Sequence, residues 1–142
     1  MSYNPRVSNG HRRRELTERV RARQDRCAIC GGPIDYSLHK WRDPKDGKVK
    51  QHPMSFEVDE IKPVKEWRAY GYASKTAAAT DPGNVQASHR FCNQWRGARS
   101  MRWVAAHRHE LRAELARRGY ARWRQAAKAK ASRKKVRTSR SW

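Results

Sequence analysis

Apolar positions along this chain are sparse, and their spacing changes character several times. From Arg12 to about Gln24 a run of good helix formers carries only Leu16, Val20 and Ala22 as apolar positions, which predicts a helix with a narrow stripe. Such a helix is expected to dock lightly on the rest of the chain or to lie along a polyanion; a solvated, highly charged rod is the plain alternative. Ser55–Ile61 alternates through Phe56 and Val58 and predicts a strand ended by Pro63. Asp81-Pro82-Gly83-Asn84 is a strong turn signal, followed by a second short extended segment over Val85–Ser88 and a helix opening from His89. From Ser100 to Arg118, Trp103, Val104, His107, Leu111 and Leu115 recur at three- and four-residue spacing, so a helix is predicted there. Gly119 should end it, with a further helical piece from Tyr120 to about Lys130. Between these elements, residues 35–54 are polar with a turn at Asp43–Gly47, and residues 65–83 read as a connector with a short helical turn near Trp67–Tyr72. Residues 1–10 and 132–142 are expected to be disordered.

Composition sharpens this picture. In 142 residues, 34 Lys and Arg stand against 13 Asp and Glu, a formal charge of +21. No apolar run approaches the ~18–20 residues that cross a bilayer, and the first residues carry no signal-peptide core. A cytoplasmic protein (of a host cell, if encoded by a phage) is therefore expected, with no membrane partner and no small-molecule ligand. So large an excess of cations suits a polyanion, nucleic acid ahead of an anionic membrane surface. The charge is concentrated late, since residues 115–142 hold 11 Lys or Arg and no acid. With only 37% hydrophobic residues the core must be small, and a small core calls for a staple.

The three cysteines indicate what the staple is. Cys27-x-x-Cys30 and His89-x-x-Cys92, separated by 58 residues, are two knuckles that together supply four ligands for a tetrahedral zinc. Gly31 and Gly32 behind the first pair permit the tight turn. A redox pair at Cys27 and Cys30 is the alternative, but it leaves Cys92 unexplained and lacks a βαβ setting. Four protein ligands leave no open position, so this ion would be structural.

Between the knuckles lies Phe56-Glu57-Val58-Asp59-Glu60-Ile61-Lys62-Pro63, and Asn93 follows the last knuckle ligand. A strand, a loop, a second strand and a helix would bring Asp59 and Asn93 together. A carboxylate and an amide oxygen, completed by water, suit a hard ion such as Mg²⁺. Glu60 next door is a candidate to activate water. The plain alternative is a solvated strand end, a turn asparagine at Asn84 and a helix cap at Asn93.

Cys27-x-x-Cys30, Val58-Asp59-Glu60-Ile61-Lys62-Pro63, Asn84-Val85-Gln86 and His89-x-x-Cys92-Asn93, in this order, resemble the HNH endonucleases, especially the small zinc-bearing HNH proteins of bacteriophages. The resemblance covers about residues 25–100. It implies an α+β fold with a small ββα-metal (HNH, or His-Me finger) core stapled by structural zinc, with basic helical N- and C-terminal extensions. It implies a catalytic Mg²⁺ or Mn²⁺ on Asp59 and Asn93, Glu60 where the family's general-base histidine stands, and Asn84 bonding across the loop to orient that base. Here Glu60 and Asn93 replace the family's two histidines, and His89 replaces a more frequent cysteine. The expected organisation is a basic arm over 1–24, a nuclease core over 25–100, a basic helical extension over 101–131 and a basic tail over 132–142. The expected substrate is double-stranded DNA, cut by nicking or across both strands. By analogy with phage relatives, the work would lie in genome processing or packaging beside the terminase.

Arg90, Arg96, Arg99 and Arg102 flank the expected catalytic helix and are candidates to grip phosphates, Arg96 foremost because it lies one turn from Asn93. Most tryptophans are expected to pack rather than stack on bases. The rival readings are a non-catalytic zinc protein that binds DNA or RNA, and a structural RNA-binding protein of ribosomal character.

Overall fold

The structure, a computed structural model, describes residues 10–121. Helix α1 (Gly10–Arg23) leads into a turn and a hairpin of β1 (Lys40–Arg42) and β2 (Val49–Gln51). Strand β3 (Phe56–Glu60), a 3-10 turn at Val64–Glu66 and helix α2 (Lys75–Thr80) follow, then strand β4 (Val85–His89), helix α3 (Arg90–Arg96) and helix α4 (Met101–Arg117). The architecture is α+β, with two separate antiparallel pairs, β1–β2 and β3–β4.

The predicted strands pair with each other, from Phe56↔His89 to Glu60↔Val85. Because side chains alternate along a strand, Glu57 and Asp59 share one face with Ser88 and Gln86, while Phe56, Val58 and Glu60 take the other. The excursion between the strands is tied shut by Asn84. Its side-chain oxygen accepts from the Lys62 amide at 2.8 Å, and its Nδ2 donates to the Lys62 and Ala78 carbonyls at 3.0 and 3.1 Å. Strand β4 passes into α3 at His89 with no intervening loop.

Helix α1 is a layer of the core rather than a detached arm. Of the predicted stripe, Leu16 and Val20 are buried and Ala22 is exposed, and Arg13 and Arg23 donate to the carbonyls of Ala79, Pro82 and Val85. On the opposite flank α4 starts at its Ser100 cap, whose hydroxyl accepts from the Trp103 amide, and buries Val104, Leu111 and Leu115. Gly119 ends it at φ 78°, a left-handed conformation that suits glycine. Tyr120 then packs edge-on against Phe91 at 5.5 Å. One core joins α1, the first knuckle, β4 and α4, and its buried members include all three cysteines.

Two elements go beyond the sequence expectation. Residues 35–54 hold a hairpin around the predicted turn, and the connector forms α2 at 75–80, capped by the Ser74 hydroxyl, in addition to hydrogen-bonded turns near 67–72, where Tyr70 N donates to the Glu66 carbonyl at 3.3 Å. The predicted lead at 1–9, the helical piece beyond Ala121 and the tail at 132–142 lie outside the described residues.

Candidate metal centre and the face beside it

Each knuckle is shaped by backbone amides aimed at sulfur. Cys30 N donates to Cys27 Sγ at 3.4 Å, Gly32 N to Cys30 Sγ at 3.3 Å and His89 N to Cys27 Sγ at 3.4 Å. Gly31 sits at φ 80°, a left-handed conformation that side chains rarely adopt, so the turn requires glycine there. Helix α4 braces the turn from outside: Arg108 Nε donates to the Ile29 carbonyl at 2.7 Å and Arg112 Nε to the Cys30 carbonyl at 3.0 Å.

Cys27, Cys30, His89 and Cys92 are all buried, with ligand atoms within 4.8 Å of one another. The three thiols remain free of disulfides. His89 Nδ1 lies 3.4 Å from Cys30 Sγ and 3.7 Å from Cys92 Sγ, and its Nε2 lies 3.0 Å from the Pro33 carbonyl. A carbonyl only accepts, so the Nε2 proton is fixed there and Nδ1 faces the sulfurs, the arrangement a metal-binding imidazole needs. Thiol contacts from Cys27 and Cys92 pull the Cys30 thiol far down, whereas the same network and burial push Cys92 far up. Burial alone would depress His89, but the bonds to Cys27 and Cys30 outweigh it and lift it to about 10. Three sulfurs and one imidazole, closed off from solvent, fit a structural zinc by their donor chemistry.

Beside this centre, β3 and α3 present a polar face. Asp59 is 3% exposed; its Oδ2 accepts from Gln86 Nε2 at 2.8 Å and from Arg96 Nη1. Both bonds use the same oxygen, so Oδ1 is left without a donor among the described residues. Burial raises the Asp59 carboxyl above its ordinary value, against the pull of Gln86 and Arg96. Asn93 does not bond Asp59. Its Nδ2 donates to Glu57 Oε1 at 2.6 Å, while Arg90 Nη1 holds Glu57 Oε2 at 3.2 Å. A carboxylate accepts only, so the Asn93 NH₂ is the end held by Glu57, and its Oδ1 takes no part in that bond.

Glu57 is the residue the sequence reading passed over, although its place two before Asp59 on a strand already implied a shared face. Glu60 stands on the opposite face, its carboxylate 3.8 Å from Arg13 of α1 and its side chain 9% exposed. Asn84 bonds across the loop to main-chain groups of Lys62 and Ala78; its side-chain bonds go to those groups rather than to the Glu60 side chain it was expected to orient. Arg96, the foremost phosphate candidate, is fully buried and otherwise engaged. It spans Asp59 and the carbonyls of Glu60, Ile61 and Arg99, so the structure makes it a strut. Arg99 lies over the Trp103 ring at 4.2 Å and, like Arg102, is exposed, while Arg90 is half-buried on Glu57. Trp95 packs on Trp103, which stacks in turn on His107, in keeping with packing roles for these rings. No helix among the described residues is long and apolar enough to cross a membrane.

Compared with protein-family models, curated proteins and solved structures, the chain matches none of them.

Proposed function

We propose that this protein is a zinc-stapled, metal-dependent DNA endonuclease of HNH type. The observation that supports the reading is a pair of side-chain oxygens, one on β3 and one on α3, whose partner atoms are held by the surrounding polar groups. Asp59 Oδ1 and Asn93 Oδ1 have no hydrogen-bond donors among the described residues, while their partner atoms are tied down by Arg96, Gln86 and Glu57. Two hard oxygens held in this way fit Mg²⁺ or Mn²⁺ with water in the remaining positions. Such an ion, when bound, supplies charge to the scissile phosphate and acidifies water. The chain's own part is to hold those oxygens, to keep Arg96 neutralising the buried Asp59, and to bring in DNA through its cationic surface. Glu60 is the base by resemblance alone, and its place beside Arg13 gives it a longer reach to the Asp59 face.

The test is nicking of supercoiled plasmid by the zinc-loaded protein with Mg²⁺ or Mn²⁺. Asp59→Asn, which keeps an acceptor for Arg96 and Gln86, should lose at least about 100-fold in rate while still binding DNA. Glu60→Gln should lose less if Glu57 or solvent serves as base, and as much if Glu60 does. Tight DNA binding without cleavage under any ion would establish the second reading, a non-catalytic zinc module. The burial of Asp59 in an ion pair favours that rival. A role beside a phage terminase belongs to the same proposal and follows from the resemblance.

A further inference from the structure

No residue of the β1–β2 hairpin belongs to either hydrophobic cluster of the core. Its register pairs Lys40 with Gln51, Trp41 with Lys50 and Arg42 with Val49. Directly paired residues in an antiparallel ribbon share a face, so Lys40, Arg42, Val49 and Gln51 stand together on one side. The other side carries Trp41, whose ring packs at 4.5 Å on the buried His52 and turns that side toward the body. The outward four are all exposed, and Val49 at 57% is the most exposed large aliphatic side chain among the described residues. At the tip, both acids, Asp43 and Asp46, are paired with Lys50. Lys40, Arg42, Lys45 and Lys48 are left as an excess of positive charge.

The geometry points to this ribbon as a reader of the major groove of double-stranded DNA, which sets where the proposed nuclease acts and so rests on that reading. A two-stranded ribbon has the width the major groove admits. The outward face carries the side-chain types that distinguish base edges there: Arg and Lys for guanine, Gln for adenine, and an aliphatic group for the thymine methyl. Lys45 and Lys48 in the turn suit the flanking phosphates. Arg42 Nη1 donates to the Gly47 carbonyl at 2.6 Å, and Gln51 Nε2 to Ser55 Oγ at 3.0 Å. The first bond orients the Arg42 guanidinium and leaves it further donors; the second turns one Gln51 N–H to the buried Ser55 and leaves the amide oxygen and the other N–H for a base edge. The mounting is hydrogen-bonded at its root and to the helix beside it. His52 N donates to the His39 carbonyl at 2.7 Å and closes the root, while Arg90 N and Phe91 N of α3 donate to the carbonyls of Ser55 and Pro53. The ribbon is thus joined to the first turn of the helix that carries Asn93.

The experiment is selection from a randomised duplex DNA library by the full, zinc-loaded chain without Mg²⁺ or Mn²⁺, followed by titrations at two salt concentrations. The wild type should enrich a motif of a few base pairs. Arg42→Ala and Gln51→Ala should each relax one position of it, with roughly tenfold loss on the selected site and little change on random duplex. The paired variant Lys45→Ala/Lys48→Ala should weaken all duplexes alike and reduce the salt slope. Double-stranded RNA, whose major groove is too narrow for the ribbon, should show no dependence on Gln51. Duplex binding with no enriched motif, or a motif unchanged in Arg42→Ala and Gln51→Ala, overturns the ribbon proposal and leaves the nuclease reading standing. Absence of any duplex binding overturns both.

Discussion

Asp59 and Arg96 make each other's burial tolerable. Arg96 has no side-chain exposure and Asp59 almost none, so removing either leaves a charge in a poorly solvating place. Arg96→Met should cost about 3–5 kcal/mol in urea unfolding, because an uncompensated carboxylate and three carbonyls lose their donor. The pH dependence reports which force dominates Asp59. Its carboxyl is raised in the folded protein, so the stability it contributes is full below the ordinary value of 3.8 and is lost as pH rises through the folded value. Asp59→Asn does not titrate there. Its stability relative to wild type should climb between acid and neutral pH; a fall would mean that the Arg96 pair outweighs burial. Sequence spacing singled out Asp59, Asn84 and Asn93, and the structure sets Asp59 on Arg96 and Gln86, Asn84 on main-chain groups and Asn93 on Glu57. Spacing missed Glu57 and misjudged Arg96, because burial and hydrogen-bond partners are set by which face of β3 meets α3.

At the scale of elements, the two knuckles were legible from spacing alone, and so were α4 and the β3–β4 pair with their clear periodicity. The hairpin was not. Its strands are three residues each and exposed on nearly every position, so no hydrophobic alternation marks them. Helix α2 was missed for a related reason: a Ser cap and a run of alanines carry propensity but little pattern. The knuckles yield a sharper prediction. Loading zinc requires His89 to give up a proton that its surroundings hold to about 10, and Cys92 to give up a thiol proton. Adding zinc to chelator-treated protein at pH 7 in weak buffer should release protons, read with an indicator dye, and affinity should fall as pH falls. Cys92→Ser should diminish both the release and the one-ion mass increment in native mass spectrometry.

For the molecule as a whole, charge dominates. The sequence placed a boundary after residue 24, whereas Leu16 and Val20 bury α1 in the common core. An amphipathic stripe two residues wide gives no warning of how much it will carry. The same packing defines where the basic C-terminal part can be cut. Tyr120 sits on Phe91, so truncation after Ala121 spares the core and removes 9 Lys or Arg. DNA affinity of the truncated chain should drop, and its dependence on log salt should flatten, with thermal unfolding of the zinc-loaded form unchanged. An unchanged slope would show that the tail takes no part in binding.

His89 has three employments at once: last residue of β4, metal ligand, and the residue from which α3 starts. A zinc held by this cluster would therefore act as a pin through the joint between sheet and helix, with Asp59 on one leaf and Asn93 on the other. In a nuclease this makes metal supply a maturation step. On the proposed reading, a newly made chain would have every proposed reacting group but no fixed distance between them, and would become dangerous to DNA only once loaded.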